Sequence, residues 1–292
     1  MNYISFPKLN LYFNVDRTAF SLFGFNIYWY GVIIAFGLVV AMLTVLKLGK
    51  KAGIKQENIL DVVIFGLPVS VICARAYYVI FEFDGYKDNL IEIFNIRNGG
   101  LAIYGGVIGA FLTVYVYCKI KKINVLKMFD IGSIGLVIGQ MIGRWGNFFN
   151  QEAFGRNTKL VWGMTGSVIK SQLKNMQALG INVTPDLPVH PTFLYESLWW
   201  LVVAFVLITV FYKFRKFNGQ IFFGYITLYS FGRFFIEGLR TDSLYLGSIR
   251  VSQLLAAVLV VSGITLYCVF YKKYKANINK TQDVSCLNND NI

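Results

Sequence analysis

The chain has 292 residues, of which 56% are hydrophobic and only 15% are charged, and its mean hydropathy is +0.55. A soluble domain of this composition would expose too much apolar surface, so the sequence indicates an integral membrane protein with several spans. The formal net charge of +13 falls in short clusters between apolar runs, which argues against a nucleic-acid partner.

The N-terminal 25 residues are rich in Phe and Tyr but include Lys8, Asp16 and Arg17 before any long apolar run. This pattern is typical of a segment that lies at the membrane surface. We therefore predict an interfacial segment over residues 1–25 and no cleavable signal peptide.

Seven apolar runs follow, each near the roughly 20 residues that a helix needs to cross a bilayer. They cover residues 26–46, 59–81, 100–118, 129–146, 192–212, 220–239 and 251–271. The sequence thus predicts an all-α integral membrane protein, with a bundle of seven transmembrane helices over 26–275 and a polar tail over 276–292.

Basic residues are concentrated in alternate loops and in the tail. Cytoplasmic loops carry an excess of Lys and Arg, so this bias predicts the N-terminus outside and the C-terminus in the cytoplasm. Anionic headgroups of the lipid bilayer are the expected partner of this charge. The basic side contains Lys47, Lys50, Lys51, Lys55, Lys119, Lys121, Lys122, Lys127, Lys213, Arg215, Lys216, Lys272, Lys273, Lys275 and Lys280.

The only long polar segment between spans covers residues 147–191 and ends in the Pro-rich sequence TPDLPVHP. The predicted orientation makes this segment extracytoplasmic. We expect it to form a small head over the membrane.

Charged side chains within membrane spans are costly and mark functional sites. Arg144 lies about 21 Å along the fourth span from Asp130, and Arg233 lies about 20 Å along the sixth from Gln220, at 1.5 Å per residue. Both arginines are therefore expected near the outer ends of their helices. A transporter would more often place its site near the midplane.

The other spans contribute polar groups at the same expected depth. Tyr30, Arg75, Tyr104 and Glu196 all fall near the outer ends of their spans. Because guanidinium groups bind phosphate in a bidentate manner, an arginine-rich site at headgroup depth indicates a phospholipid ligand. For Glu196 the alternative is that its charge only favours the N-terminal end of its helix.

Within the sixth span, Tyr229, Arg233, Glu237 and Arg240 stand at positions i, i+4, i+8 and i+11. Helical geometry would place all four on one face. The alternative interpretation is a chain of salt bridges that only holds the bundle together.

Several of these patches together resemble one protein family, the prolipoprotein diacylglyceryl transferases. GRWGNFFNQEAFG at 143–155 is similar to the family signature G-R-x-G-N-F-x-N-x-E-x-x-G at every fixed position. The resemblance runs from about residue 20 to 271 in the expected order. The other matching patches are WYG at 29–31, ARAYYV at 74–79, GGLAIYGGVIG at 99–109, HPTFLYE at 190–196 and YSFGRFFIEGLR at 229–240.

The resemblance implies that the seven-helix domain is catalytic. It would transfer the diacylglyceryl group of phosphatidylglycerol to the lipobox cysteine of a prolipoprotein signal peptide, forming a thioether and releasing glycerol phosphate. It also implies Arg144 and Arg233 as the main electrostatic residues. The expected phosphatidylglycerol-binding residues are Arg144, Asn147, Glu152, Tyr30, Tyr229, Glu237, Arg240 and Arg75.

Tyr104 departs from the family pattern. Many members have H-G-G at this place, and the histidine has been proposed to activate the thiol, whereas this chain has IYGG. Either Tyr104 acts in catalysis as a tyrosinate or a hydrogen-bond donor, or no side chain there is the essential base. We favour the second alternative, because a tyrosine has a reference pKa near 10, while a thiol has one near 8.5.

No metal or organic cofactor is expected, since a single histidine, His190, cannot form a histidine-based zinc site. His190 itself is expected to be structural. The expected location is the bacterial cytoplasmic membrane. The alternative function is a phospholipid or anion transporter, or a scramblase, in which the arginines form a transient phosphate site. A non-catalytic assembly protein is a weaker alternative.

Overall fold

The computed structural model describes residues 2–96, 99–241, 245–246 and 249–289, and the chain there is mostly helical. The helices are α1 Trp29–Ala52, α2 Gln56–Phe81, α3 Ile103–Ile120, α4 Val125–Asn150, α5 Ser167–Ala178, α6 Thr192–Thr209, α7 Gln220–Glu237 and α8 Val251–Asn289. The strands are β1 Tyr3–Phe6, β2 Leu11–Asn14, β3 Thr18–Leu22, β4 Phe25–Tyr28, β5 Thr165–Gly166, β6 Tyr245–Leu246 and β7 Ile249–Arg250.

Six helices in the described part of the chain are long and apolar enough to cross a membrane, which identifies a multi-pass membrane protein. They are α1, α2, α3, α4, α6 with its π-helical continuation Val210–Phe214, and α8. The predicted sixth span, 220–239, does form a helix, α7, but this helix is not among the six. Polar residues, including Arg233 and Glu237, lower its mean hydropathy.

Several helices are longer than their predicted spans. The helix α4 continues to Asn150, so Asn147 belongs to it and not to the polar segment that follows. The helix α8 runs through much of the predicted tail to Asn289, and residues 290–292 of that tail lie outside the described residues.

The chain divides into two compact units, with boundaries inside α1 and α4. One unit covers residues 44–132 and is built mainly from α2 packed against α3. These helices approach closely because Gly105 has no side chain. A Cβ at Gly105 would lie 2.3 Å from the carbonyl oxygen of Cys73.

The second unit covers residues 1–43 and 133–292 and contains the N-terminal sheet, the segment after α4 and the helices α6 to α8. Strand β1 pairs with β2 on one side and with β5 on the other, in the order β2-β1-β5. One hydrophobic core joins the N-terminal strands, the end of α4 and the predicted head. Its buried residues are Ile4, Phe6, Val15, Phe148, Phe154, Met164, Ile169, Leu173, Val183, Val189 and Phe193.

The chain turns sharply after α4, with both Gln151 and Ala153 in the left-handed region at φ 54°. The buried Gln151 side chain accepts a hydrogen bond from the Val168 N–H at 3.0 Å, near the start of α5. A few residues later, Gly155 passes close to other backbone, where a Cβ would lie 2.8 Å from the Cβ of His190 and 2.9 Å from the Leu239 oxygen. These contacts anchor the segment that follows α4.

The helix α7 packs against α6 and α8. At Gly232 the indole of Trp199 occupies the space that a side chain would fill, and its Nε1–H donates to the Leu228 carbonyl at 3.0 Å. This packing determines which face of α7 carries Arg233.

Candidate active site

The centre of the site is the carboxylate of Glu196, in the second turn of α6. Its side chain is only 1% exposed, and its Oε2 lies 2.6 Å from Nη2 of Arg144 on α4. A buried charge needs close partners of opposite sign, and arginine supplies them in a fixed planar arrangement. The Glu196–Arg144 pair therefore connects α6 to α4.

Two further arginines face the same carboxylate. Glu196 Oε1 lies 3.5 Å from Nη1 of Arg233 and 3.8 Å from Nη1 of Arg240. Arg233 also contacts Glu237 on its own helix, with 2.6 Å between Nη2 and Oε2. The three guanidinium groups and two carboxylates leave a formal excess of one positive charge, which suits an anionic ligand.

Arg250, just before α8, contacts the backbone of the helix that carries Arg233 and Glu237. It is buried, and its Nη1 donates to the backbone carbonyl of Glu237 at the end of α7. A cation at a helix C-terminus is favoured by the helix dipole. Arg250 thus stabilises the backbone that carries Glu237.

The signature segment extends the cluster along the end of α4. Asn147 Oδ1 accepts from Arg144 Nη1 at 3.3 Å, and Asn147 Nδ2 donates to Glu152 Oε1 at 2.8 Å. The amide of Asn150 also donates to Glu152 Oε1, at 3.3 Å. Glu152 is therefore connected to Arg144 through one amide side chain.

A cavity of about 530 Å³ lies beside Glu152. The ring of Tyr30 lines it and packs over Gly146, where a Cβ would lie 2.8 Å from the ring. Arg17 also lines the cavity and donates from Nη2 to the Asn150 carbonyl at 3.0 Å. The cavity thus combines a guanidinium, a carboxylate and tyrosine rings.

Tyr229 lies one helical turn before Arg233. Its ring stacks on that of Trp200, with 4.9 Å between centroids and 11° between planes. This stacking holds Tyr229 on the side of α7 that faces α6.

Arg75, predicted to bind phosphatidylglycerol, belongs to the other compact unit, where its side chain is buried. Each of its five N–H groups has a backbone carbonyl acceptor within 3.2 Å, and these carbonyls all come from one loop. The acceptors are Glu92, Ile93, Asn95, Gly99 and Gly100. In this arrangement Arg75 holds the loop before α3.

Tyr104 lies in the first turn of α3, in the same unit as Arg75. Its side chain is half-exposed, and its ring lies 6.4 Å from that of Tyr77 on α2. Its chemical role stays a prediction.

His190 lies just before α6, outside the membrane spans. Its Nδ1 is 3.1 Å from the Tyr195 hydroxyl, which accepts a bond from Trp162 Nε1–H at 2.7 Å. Burial lowers the pKa of His190, so the neutral imidazole is favoured. The backbone of His190 also pairs with Gly155 and Arg156, which is in keeping with a structural role.

The structure thus brings together six of the predicted residues: Arg144, Asn147, Glu152, Arg233, Glu237 and Arg240. One detail of the prediction is wrong. Arg240 is not on the helical face of Arg233, because α7 ends at Glu237, and Arg240 instead forms a β-bridge with Gly155. It contacts Glu196 from the turn after the helix.

The central position of Glu196 was not predicted. The available signal was a carboxylate five residues into an apolar helix, since such a charge requires a cationic partner. The sequence pattern could not identify that partner, because the arginines come from α4 and from α7 and its following turn.

The fold and this cluster define a multi-pass membrane protein with a group of arginines held by buried carboxylates. A model of the family described as prolipoprotein diacylglyceryl transferase matches residues 17–269. The chain therefore belongs to the prolipoprotein diacylglyceryl transferase family.

Individual relatives extend over nearly the whole chain. A phosphatidylglycerol–prolipoprotein diacylglyceryl transferase of Clostridioides difficile is 46% identical, covering 91% of this chain and 100% of the relative. The enzyme of the same name from Finegoldia magna is 46% identical over 92% of this chain and 100% of its own length. That of Listeria welshimeri is 43% identical over 90% and 92%, respectively.

Replacing Glu196 by Gln keeps its size but removes the charge shared by three arginines. Loss of one partner of a buried ion pair lowers the free energy of unfolding by about 3–5 kcal/mol. Because the arginines are partly exposed, we expect a smaller loss of about 1–3 kcal/mol here. We expect a lower thermal unfolding midpoint in detergent. The matched control is Asp186→Asn, which breaks the exposed Lys170 pair and should leave the midpoint unchanged. Equal midpoints for both variants would contradict a central role for Glu196.

Proposed function

We propose that this chain transfers the diacylglyceryl group of phosphatidylglycerol to the lipobox cysteine of prolipoproteins. A thioether forms and glycerol phosphate is released. The observation that carries the proposal is the Glu196-centred arginine cluster, in a chain that belongs to this transferase family. The relatives are named for this substrate lipid and for prolipoproteins.

In the proposed mechanism the cysteine sulfur attacks the glycerol carbon next to the phosphate. The thiol releases its proton to water, and the carbon–sulfur bond forms as the carbon–oxygen bond to phosphate breaks. Negative charge moves from sulfur to the departing phosphate oxygen. Preorganised guanidinium groups would stabilise this transition state without having to reorient.

Arg144 and Arg233 are proposed as the catalytic residues of this cluster. Their side chains are 24% and 21% exposed, whereas Glu196 and Glu237 beneath them are nearly fully buried. This difference leaves guanidinium surface accessible to a phosphate while the carboxylates fix its orientation. Asn147, Glu152, Tyr30, Tyr229 and Arg240 are proposed to surround the headgroup.

The thiol is proposed to lose its proton without an essential side-chain base at Tyr104. A thiol of pKa near 8.5 is already a few per cent ionised at neutral pH. Guanidinium groups close to the thiol would favour the thiolate further. Tyr104 then contributes at most a hydrogen bond.

We further propose that α7 is a seventh span and that the protein lies in the bacterial cytoplasmic membrane, with the N-terminus outside and the C-terminus in the cytoplasm. The burial of α7 between other helices compensates for its polar residues. The Lys-rich loops support this orientation.

Cysteine labelling tests this orientation. Lys174→Cys in α5 and Lys121→Cys after α3 both replace exposed lysines. An impermeant maleimide added to intact cells should label Lys174→Cys and not Lys121→Cys. After lysis it should label both variants. The opposite pattern in intact cells would contradict the proposed orientation.

Purified protein in vesicles tests the proposed reaction. With phosphatidylglycerol labelled in its headgroup and a lipobox peptide, we expect release of glycerol phosphate and an equal amount of thioether-linked peptide. A transporter or scramblase would move the lipid between leaflets and leave it intact. Absence of both products from a folded protein would refute the transferase proposal.

Arg233→Lys should lose most activity although the charge is kept, because an ammonium group cannot form the bidentate contact. One lost charge-assisted hydrogen bond costs about 1.5–3 kcal/mol, or roughly 10–150-fold in rate. Arg215→Lys, in the loop before α7, is the matched control and should keep wild-type turnover. Wild-type turnover in Arg233→Lys would limit Arg233 to packing.

Tyr104→Phe separates the two roles of Tyr104. If arginines activate the thiol, the loss is about one hydrogen bond, or no more than roughly tenfold, and the rate still rises with pH as the thiol ionises. Tyr77→Phe, on the neighbouring ring, is the control. A roughly thousandfold loss in folded Tyr104→Phe, without recovery at alkaline pH, would instead make Tyr104 the base.

A further inference from the structure

The strand β2 has an unoccupied edge in the described part of the chain, because it pairs with β1 alone. Next to the paired strands, the N–H of Val15 donates a hydrogen bond to the Asn2 carbonyl at 2.9 Å. Along antiparallel strands, residue pairs that exchange hydrogen bonds alternate with pairs that do not. The pair Tyr3–Asn14 is therefore not hydrogen-bonded, and the next hydrogen-bonded pair is Ile4–Phe13. The N–H and C=O groups of Tyr12 and Asn14 therefore point to the open edge.

Part of the protection that is usual for edge strands is missing from this edge, although β2 is short, with four residues, and short edge strands resist pairing. Three other protective features are charged residues, prolines and bulges. Residues 11–14 read LYFN, with none of the three in β2, and the strand is exposed throughout, with Tyr12 at 70%. An apolar strand with free hydrogen-bonding groups is a template for an added strand.

Strand β2 also contacts α4, the helix that carries Arg144 and Asn147. The ring of Phe13 lies edge-on to Phe148, with 6.2 Å between centroids. Phe148 follows Asn147 directly on α4 and packs against Phe193, three residues before Glu196. A chain bound along β2 would therefore pass near the end of α4, where Phe148 lies four residues after Arg144.

The chemistry of the edge favours a peptide over lipid as its occupant. Hydrocarbon cannot satisfy the N–H and C=O groups of Tyr12 and Asn14, and each unsatisfied group would cost free energy. An extended peptide satisfies them in register and also covers the exposed apolar side chains.

We propose that β2 binds, as an added strand, the extended segment of the prolipoprotein that follows the modified cysteine. This inference rests on the proposed function and identifies where that substrate docks. Strand pairing reads the backbone, so one edge accepts substrates of different sequence. The edge would thereby position the cysteine while tolerating variation after it.

The test compares two lipobox peptides with purified protein in phosphatidylglycerol vesicles. The short peptide ends just after the cysteine, and the long one continues by about eight residues, enough for a strand. The readout is the ratio of kcat/KM for the long and short peptides within each variant. Tyr12→Pro removes one outward N–H, which edge strands tolerate, and Tyr12→Ala keeps that N–H as the matched control.

We expect the long peptide to be favoured roughly tenfold by the wild-type protein, as for one or two hydrogen bonds. The ratio should fall to about one to three in Tyr12→Pro and stay near the wild-type value in Tyr12→Ala. If the long-to-short ratio of kcat/KM is the same in the wild-type protein and in Tyr12→Pro, the proposal is overturned. This includes the result in which Tyr12→Pro loses activity equally on both peptides, as expected if the edge contacts the membrane.

Methylated peptides test the proposal on the wild-type protein if Tyr12→Pro does not fold. In an added strand, every second backbone amide of the long peptide faces β2. N-methylation of that set of amides should remove the higher kcat/KM of the long peptide, whereas N-methylation of the other set should not. No effect of either set would overturn the proposal. Failure of every peptide to form a thioether would instead refute the proposed function on which it rests.

Discussion

The buried carboxylate of Glu196 is the constraint on which the rest of the site depends. At 1% exposure it cannot be solvated, so positive charge must come to it, and it receives Arg144, Arg233 and Arg240. Without that carboxylate the three guanidinium groups would repel one another. Glu196 on α6 therefore connects α4 with α7 and the turn that follows it, and it keeps the three guanidinium groups close together.

Different residues of the signature segment have different structural roles: some form the hydrogen-bond network, and others form the turn after α4. Asn147 and Glu152 extend the hydrogen-bond network from Arg144. Gln151 and Gly155 instead build the turn into the segment after α4, through a side-chain bond to the start of α5 and a close backbone crossing. The network and the turn thus share one short segment of the chain.

Arg75 illustrates how a charged residue in an apolar helix can serve the fold. The sequence pattern grouped it with the arginines expected to bind lipid phosphate. Its five N–H groups are instead all directed at carbonyls of the loop before α3. One buried guanidinium on α2 therefore holds this loop through five hydrogen bonds, which uses all of its donors.

Composition and pattern by themselves determined the membrane class, most helices and the family, because apolar runs and the signature are local properties of the chain. The pattern and the family resemblance also predicted Arg144, Asn147, Glu152 and Arg233 as site residues, and the structure places these four in one connected cluster. Only the tertiary structure decided that Glu196 is the shared partner and that Arg240 reaches it from a turn. The physical reason is that a buried charge is satisfied by groups distant in sequence, whose meeting depends on how the helices pack.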